Sequence, residues 1–466
     1  MIITVKNLGV IKKAEFDTSK KLTVFCGPNS TGKTYLSYVI FDIFLYSEIY
    51  TLKSYADVKT ALNTGERIIM KKEYIDEYLS KMSNSCKKRI GLVFGVAEDK
   101  ENDFFKNISI ELSLSDKEYN EIIKVCNFIN INDCITDGVN DFDPTWKNIL
   151  LNKKTNYLID NNKIINSQKD HFEYQRSSVD EKLKDSTYIV WNSFLRNQIL
   201  DSVGVYMLPV ERNSIYTFKT ELSLNRNILL DAILEGKTTL SDLDIIFDKN
   251  SRRYPLVVKN ELRIANDLTT IQKRKSALYD FASEIEEKLL HGSIDVNQNG
   301  EVEYIVKDGV SLPIGISSSI VKTLSSLIIA LKYQVNNGNL LIIDEPEMNL
   351  HPNNQVVLAE VLAKISKNVR LIVSTHSDYI IRELNNLIVA KSLKENGNNT
   401  YEQFYDYNSL LDYEDVQVLY FDLDKNGKVS VKPIDVDKYG FAVDSMDETI
   451  NKQNERMQIL FGQMDD

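Results

Sequence analysis

Three short segments carry residues of the types needed to hold and cleave a polyphosphate. The first, Gly27-Pro28-Asn29-Ser30-Thr31-Gly32-Lys33-Thr34, has the G-x4-G-K-[S/T] spacing of a phosphate-binding loop. In such a loop the backbone N–H groups, here those of Asn29, Ser30, Thr31 and Gly32, turn inward onto phosphate oxygens, and the following helix adds partial positive charge at its start. Lys33 would reach the β and γ phosphates as a point charge, and Thr34 would offer its hydroxyl to Mg²⁺. The second segment, Asp344-Glu345-Pro346, supplies two carboxylates: Asp344 to hold Mg²⁺ through water and Glu345 to polarise an attacking water as general base. In the third, Ser374-Thr375-His376-Ser377, a neutral His376 imidazole would hydrogen-bond the γ-phosphate or orient that water. The ligands implied are ATP and Mg²⁺. Each piece has a plainer reading, as a chance loop match, two surface acids or a structural histidine; together they favour the chemical one.

These residues need strands to deliver them to one edge. Lys21–Cys26 is a short apolar strand running straight into the glycine loop, and apolar residues at Leu36, Val39, Ile40 and Phe44 mark the helix after it. Leu340–Ile343 is a buried strand ending on the two acids; a helix over about 353–366, a strand at Arg370–Ser374 and a helix over about 377–387 follow. Strand–helix–strand alternation of this kind predicts a mainly parallel sheet covered by helices, which binds ligands at the C-terminal ends of its strands. Ile108–Leu112 alternates with period two and predicts a strand inside an otherwise helical stretch. Gly204–Pro209 predicts a return to the core sheet. Asn299-Gly300 between two apolar runs predicts a hairpin with a type I′ turn.

The chain has 466 residues, 43% hydrophobic and 26% charged, enough for two or three domains. A net charge of −11, from 67 acidic against 56 basic residues, argues against a protein that coats nucleic acid non-specifically, though not against a local basic groove or a partner that does that work. The four cysteines, Cys26, Cys86, Cys126 and Cys134, form no CxxC pair and predict free thiols in a cytoplasmic protein. No signal peptide is legible, and no apolar run approaches the roughly 20 residues of a membrane helix.

The three segments in this order, with a long insertion after the first, resemble the ABC/SMC-type P-loop ATPases. Asp344-Glu345-Pro346-Glu347-Met348-Asn349-Leu350-His351-Pro352 and Ser374–Ser377 resemble those related to the overcoming-lysogenization-defect (OLD) proteins, a group that includes ATPase subunits of phage-defence systems such as PARIS, Septu and some retrons. Leu208–Asn213 is similar to a further segment of these ATPases. The resemblance implies that Ser317, Ser318 and Ser319, opening a helix as a signature segment, bind ATP held by the opposite subunit of a homodimer or higher oligomer. Ile320 stands where relatives usually have Gly, and the plainer reading of the segment is a Ser-capped helix. Asn349 and His351 would lie where the dimer interface crosses, and Glu211 and Arg212 are loose candidates to face the nucleotide.

Other signals fail or stay open. Asp422-x-Asp424-x-Asn426-Gly427 begins like a calcium loop, but position twelve is Pro433, so a hairpin turn at Asn426-Gly427 is the better reading. No upstream Glu motif of a Toprim nuclease accompanies it. Lysine clusters at 71–72, 87–89 (with Arg89) and 153–154 read as solvated helical faces, with nucleic-acid or protein contact as the alternative. An amphipathic helix over Asp447–Met464 either packs on the head or docks an effector.

The expected fold is therefore an α/β ABC-type P-loop ATPase head with a mainly parallel sheet, an antiparallel portion and a mostly helical insertion. Its divisions are 1–48 with the phosphate loop, 49–200 as the insertion, 201–310 returning to the head, 311–440 with the signature, acidic strand and histidine, and 441–466 as a C-terminal helix. The expected function is a sensor or scaffold, driven by Mg-ATP, that controls a separate nuclease or toxin in anti-phage defence. The alternatives are a DNA-repair ATPase of the SMC kind, disfavoured by the lack of heptads, and an ATP-binding scaffold without significant turnover.

Overall fold

The computed structural model describes residues 1–46, 48, 50–64, 69–128, 157–160, 163–166, 186–202, 204–217, 219 and 254–462. At the N-terminus, alternating apolar residues fold into the antiparallel pair β1 (Ile2–Leu8) and β2 (Ile11–Asp17), which bury Ile3, Val5, Leu8, Ile11, Ala14 and Phe16 on one face. β3 (Leu22–Cys26) is buried along its whole length. Its side chains divide by period two: Leu22, Val24 and Cys26 enter one core and Phe25 the other. A strand covered on both faces reads as a continuous apolar run for this reason. Helix α1 (Lys33–Leu45) follows the glycine loop and buries Leu36, Val39, Ile40, Phe41 and Phe44 in the first core.

The segment after α1 is built into the head. It contributes α2 (Ser54–Thr64), α3 (Lys72–Phe94), α4 (Glu98–Phe105), β4 (Ser109–Ser113) and α5 (Asp116–Phe128). β4 pairs antiparallel with β1 and so extends the main sheet at its edge. A small hairpin, β5 (Tyr157–Asp160) and β6 (Lys163–Asn166), precedes α6 (Ser186–Leu200). Tyr78, Leu79 and Met82 of α3 and Trp191 and Leu195 of α6 share the first core with α1. Arg89 of α3 pairs with Asp42 of α1 at 3.0 Å and also binds Glu48. Of the basic clusters expected on solvated faces, Lys71, Lys72, Lys87 and Lys88 are exposed, the first two pairing at the surface with Asp57 and Asp116, while Arg89 turns inward. Lys153 and Lys154 lie outside the described residues.

The chain then returns to the sheet as β7 (Val205–Leu208), continues through α7 (Leu256–Asn266), and forms a three-stranded sheet of β8 (Gly292–Val296), β9 (Val302–Val306) and β10 (Ser311–Pro313). The β8–β9 turn differs from the expected type I′. Asn297 N–H bonds Glu301 O at 2.9 Å, Gly300 N–H bonds Asn297 O at 3.0 Å, and only Gly300 is left-handed, at φ 77°. A three-residue loop of this kind needs positive φ once, whereas type I′ needs it at both central residues, and Asn299 does not adopt it.

Helix α8 (Ser319–Tyr333), β11 (Leu340–Asp344), α9 (Pro352–Ile365), β12 (Arg370–Ser374) and α10 (Asp378–Glu395) complete the parallel region, followed by the hairpin β13 (Val416–Leu423) and β14 (Val429–Ile434). The helices α8, α9 and α10 fill the second core against Leu341, Ile343, Leu371 and Val373. The order of the nine-stranded sheet is β4-β1-β2-β14-β13-β3-β12-β11-β7. Its pairings are antiparallel at β4-β1, β1-β2 and β14-β13 and parallel elsewhere, which is the mixed, mainly parallel α/β sheet expected.

The turn at 424–428 is a hairpin, as expected. Asp424 Oδ1 accepts the N–H groups of Asn426 and Lys428, and Lys12 holds its Oδ2 at 2.6 Å. Those carboxylate oxygens are already engaged by the fold. Helix α11 (Asp444–Gly462) closes the described chain, and its residues 451–461 are all exposed. No described helix is long and apolar enough to cross a membrane.

Candidate functional site

Three adjacent parallel strands end at one level. Phe25 of β3 pairs with Ser374 of β12, and Ser374 with Asp344 of β11. The loops leaving these strands are the glycine loop, the 374–377 segment and the acidic turn, so residues hundreds of positions apart must meet at the same sheet edge. They line one cavity of about 690 Å³, formed by Val10, Asn29 to Tyr35, Glu345, Glu347 and His376.

The loop's glycines are required by geometry. Gly27 has φ +136°, and a Cβ there would lie 2.7 Å from the Phe421 carbonyl oxygen of β13. Gly32, at φ +88°, is the residue that caps α1. Thr31 Oγ1 bonds the Pro28 carbonyl at 2.8 Å and tightens the loop. Lys33 Nζ folds back onto the carbonyls of Gly27 and Pro28, at 3.0 and 2.8 Å. Burial lowers its pKa to about 8 against the opposing pull of Asp344 and Glu345. Burial also pushes the thiol of Cys26, at the end of β3, up to about 12. Cys26 and Cys86 are free thiols.

Thr34 Oγ1 donates to Asp344 Oδ2 at 2.7 Å, and the Ser374 hydroxyl donates to the other oxygen. Glu345 adopts a left-handed backbone, φ 47°, while its N–H bonds the Ser374 carbonyl at 2.9 Å. Burial and the neighbouring Asp344 raise its pKa. His376 Nε2 lies 3.6 Å from Glu345 Oε1. Burial and the Lys33 charge lower the His376 pKa, so near neutral pH the imidazole is neutral and can either donate or accept.

Two residues of the site had no role assigned from sequence. Glu347 Oε1 accepts from Thr375 Oγ1 at 2.8 Å and from His376 N–H at 2.7 Å, which ties the histidine loop to the acidic turn. Its Oε2 is buried with no hydrogen-bond partner. Its place in the 344–352 segment was the available signal. Ser374 was read only as part of the histidine motif, and its hydroxyl contact with Asp344 depends on the β11–β12 register.

Other candidates lie elsewhere. Ser317 is buried and bonds the Pro313 carbonyl of its own turn at 3.2 Å. Ser318 and Ser319 are exposed at the start of α8 and do not line the cavity. Ile320 is half-buried and packs on the second core. Arg212 does not face the cavity: it is 2% exposed behind the acidic turn, while Glu211 is exposed. Asn349 bonds Thr323 Oγ1 at 3.1 Å, and His351 caps α9 through its ring nitrogen.

Residues 1–381 match the family model of the AAA ATPase domain. The chain belongs to that family and is a P-loop ATPase. No curated protein matches it in sequence. Among solved structures it is similar to the SMC head bound to the C-winged helix domain of ScpA, at 13% identity over 94% of this chain and 98% of that one, with a TM-score of 0.35. It is also similar to the SMC head domain from Thermotoga maritima, at 9% identity over 93% and 98% with a TM-score of 0.33. A third is the Smc head domain with an extended coiled coil, bound to the C-terminal domain of ScpA and derived from Pyrococcus furiosus, at 12% identity over 98% and 98% with a TM-score of 0.32.

Proposed function

We propose that this member of the AAA ATPase domain family binds Mg-ATP in the cavity around Lys33 and hydrolyses it with a water polarised by Glu345. The observation that carries the reading is the convergence of Lys33, Thr34, Asp344, Glu345 and His376 at the ends of three neighbouring parallel strands. Asn29, Ser30, Thr31 and Gly32 would cradle the phosphates, with the Lys33 ammonium released from the loop carbonyls onto the β and γ oxygens. His376 would hold the γ-phosphate or the water, oriented by Glu347 through its backbone N–H.

The residues fit a magnesium ion. A hydroxyl oxygen of Thr34 and a carboxylate oxygen of Asp344 stand 2.7 Å apart beside Lys33, a hard-oxygen donor set of the kind Mg²⁺ takes. When bound, the ion would neutralise charge on the phosphate oxygens.

Beyond hydrolysis, we read the protein as a head that dimerises on ATP and controls a separate nuclease or toxin effector in anti-phage defence. The exposed serines 318 and 319 at the start of α8, free of the cavity in their own chain, support a contact with nucleotide held by a second copy. Ile320, beside them, is half-buried against the second core. The defence role rests on the Asp344–Pro352 and Ser374–Ser377 motifs. ATPase rates of wild type and Glu345→Gln test the first part: the variant should retain ATP and lose turnover by about 10²-fold or more. Equal rates in both would remove Glu345 as the base. For the second part, co-expression with the neighbouring gene product should make phage resistance depend on Glu345; resistance without this chain would end the effector reading.

A further inference from the structure

Behind the acidic turn, Arg212 makes an unusual use of a buried charge. It is 2% exposed, and its guanidinium donates to three main-chain carbonyls: Pro209 at 3.0 Å, Asp344 and Glu345. Its own carbonyl accepts from Ser326 of α8 at 3.4 Å, so the fork is anchored to the helix that follows the exposed serines. The two carbonyls at the turn belong to the last residue of β11 and to Glu345, whose φ of 47° is one that side-chain-bearing residues avoid. The Glu345 N–H is held by the Ser374 carbonyl at 2.9 Å. Both ends of this strained residue are thus fixed, one by β12 and one by Arg212.

We propose that Arg212 is a positioning residue for hydrolysis, holding the left-handed backbone of Glu345 so that its carboxylate points at the water site beside His376. The inference rests on the reading of Glu345 as general base. Without the fork, two buried carbonyls lose their donor, and the turn can recover them only by rotating. Rotation toward ordinary negative φ carries the Glu345 side chain out of the cavity. A lysine keeps the charge but presents a compact ammonium, and it cannot span the carbonyls of Asp344 and Glu345 as a planar fork does. Arg212 acts through the backbone and touches no cavity surface, so nucleotide binding should be spared.

The test compares Arg212→Lys and Arg212→Met, each alone and combined with Glu345→Gln. It follows kcat, KM, the Kd for Mg-ATP and the melting temperature. The expected result is a kcat lowered at least about tenfold with Kd changed less than about threefold in a folded Arg212→Lys protein. The double variant Arg212→Lys with Glu345→Gln should be no slower than Glu345→Gln alone, because both act on one group. Unchanged kcat in Arg212→Lys, a parallel loss of Kd, or multiplicative slowing in the double variant would overturn the proposal. So would failure of both Arg212 variants to fold, which would make the residue architectural only. Glu345→Gln alone tests the underlying reading: wild-type turnover in that variant would remove the general base, whatever Arg212 does.

Discussion

Lys33 is the residue whose charge a bound polyphosphate would use. Its ammonium is buried against the carbonyls of Gly27 and Pro28, and burial lowers its pKa to about 8. A triphosphate would stabilise the protonated form, so the pKa must rise on binding. Below pH 8 the lysine is charged in both states and affinity is flat with pH. Above pH 8 binding must first take up a proton, and affinity should fall by up to about tenfold per unit until the pKa of the complex is reached. Titrations at pH 7, 8 and 9, with calorimetry in buffers of different ionisation enthalpy, should show proton uptake only at the higher values. Lys33→Met should bind weakly and without that dependence. Lys33, Asp344, Glu345 and His376 were all legible in the sequence, because each sits in a short motif bounded by an apolar strand. Arg212 was legible only as a loose candidate to face the nucleotide, since its bonds to the Asp344 and Glu345 carbonyls depend on which segments lie against it and not on any neighbour in the chain.

At the scale of elements, the strands were readable and the turns and packing less so. β3, β11 and β12 announce themselves as unbroken apolar runs because helices cover both faces. The Asn299-Gly300 turn was located correctly but given the wrong type, because a single glycine is compatible with both loop lengths and only the pairing of Asn297 with Glu301 decides. Helix α7 carries a further case. Glu261 is buried near Arg212, and burial raises its pKa to about 8. A carboxyl raised in this way keeps its proton in the folded state while the unfolded chain releases it. Stability therefore falls as pH rises from about 4.5 to about 8 and levels off above. Glu261→Gln should remove that slope, and its melting temperature should exceed wild type by more at pH 8 than at pH 5. A constant difference at both pH values would show that Glu261 is ionised in the fold.

At the scale of the whole molecule, one edge of the sheet holds the cavity while Ser318 and Ser319 stand apart from it. On the proposed reading, a second copy would complete the site. Light scattering on Glu345→Gln, which should bind ATP without consuming it, is expected to show a dimer with Mg-ATP and a monomer without. Ser319→Arg should block that dimer while leaving nucleotide binding by the single chain intact; a dimer that survives it would place the interface elsewhere. The exposed face of α11 plays no part in this prediction.

By itself the sequence determined the chemistry and the class of fold. Spacing within a motif is local, and buried parallel strands leave an apolar signature that no packing detail can hide. The tertiary structure alone decided what depends on distant segments meeting. The register of β3, β12 and β11 brings Lys33, Asp344 and His376 to one edge of the sheet. The pairing of β4 with β1 builds the segment after α1 into the head, and Arg89 turns inward to Asp42. The reason is the same in each case: a hydrogen bond or ion pair between residues far apart in the chain leaves no trace in the order of amino acids around either partner.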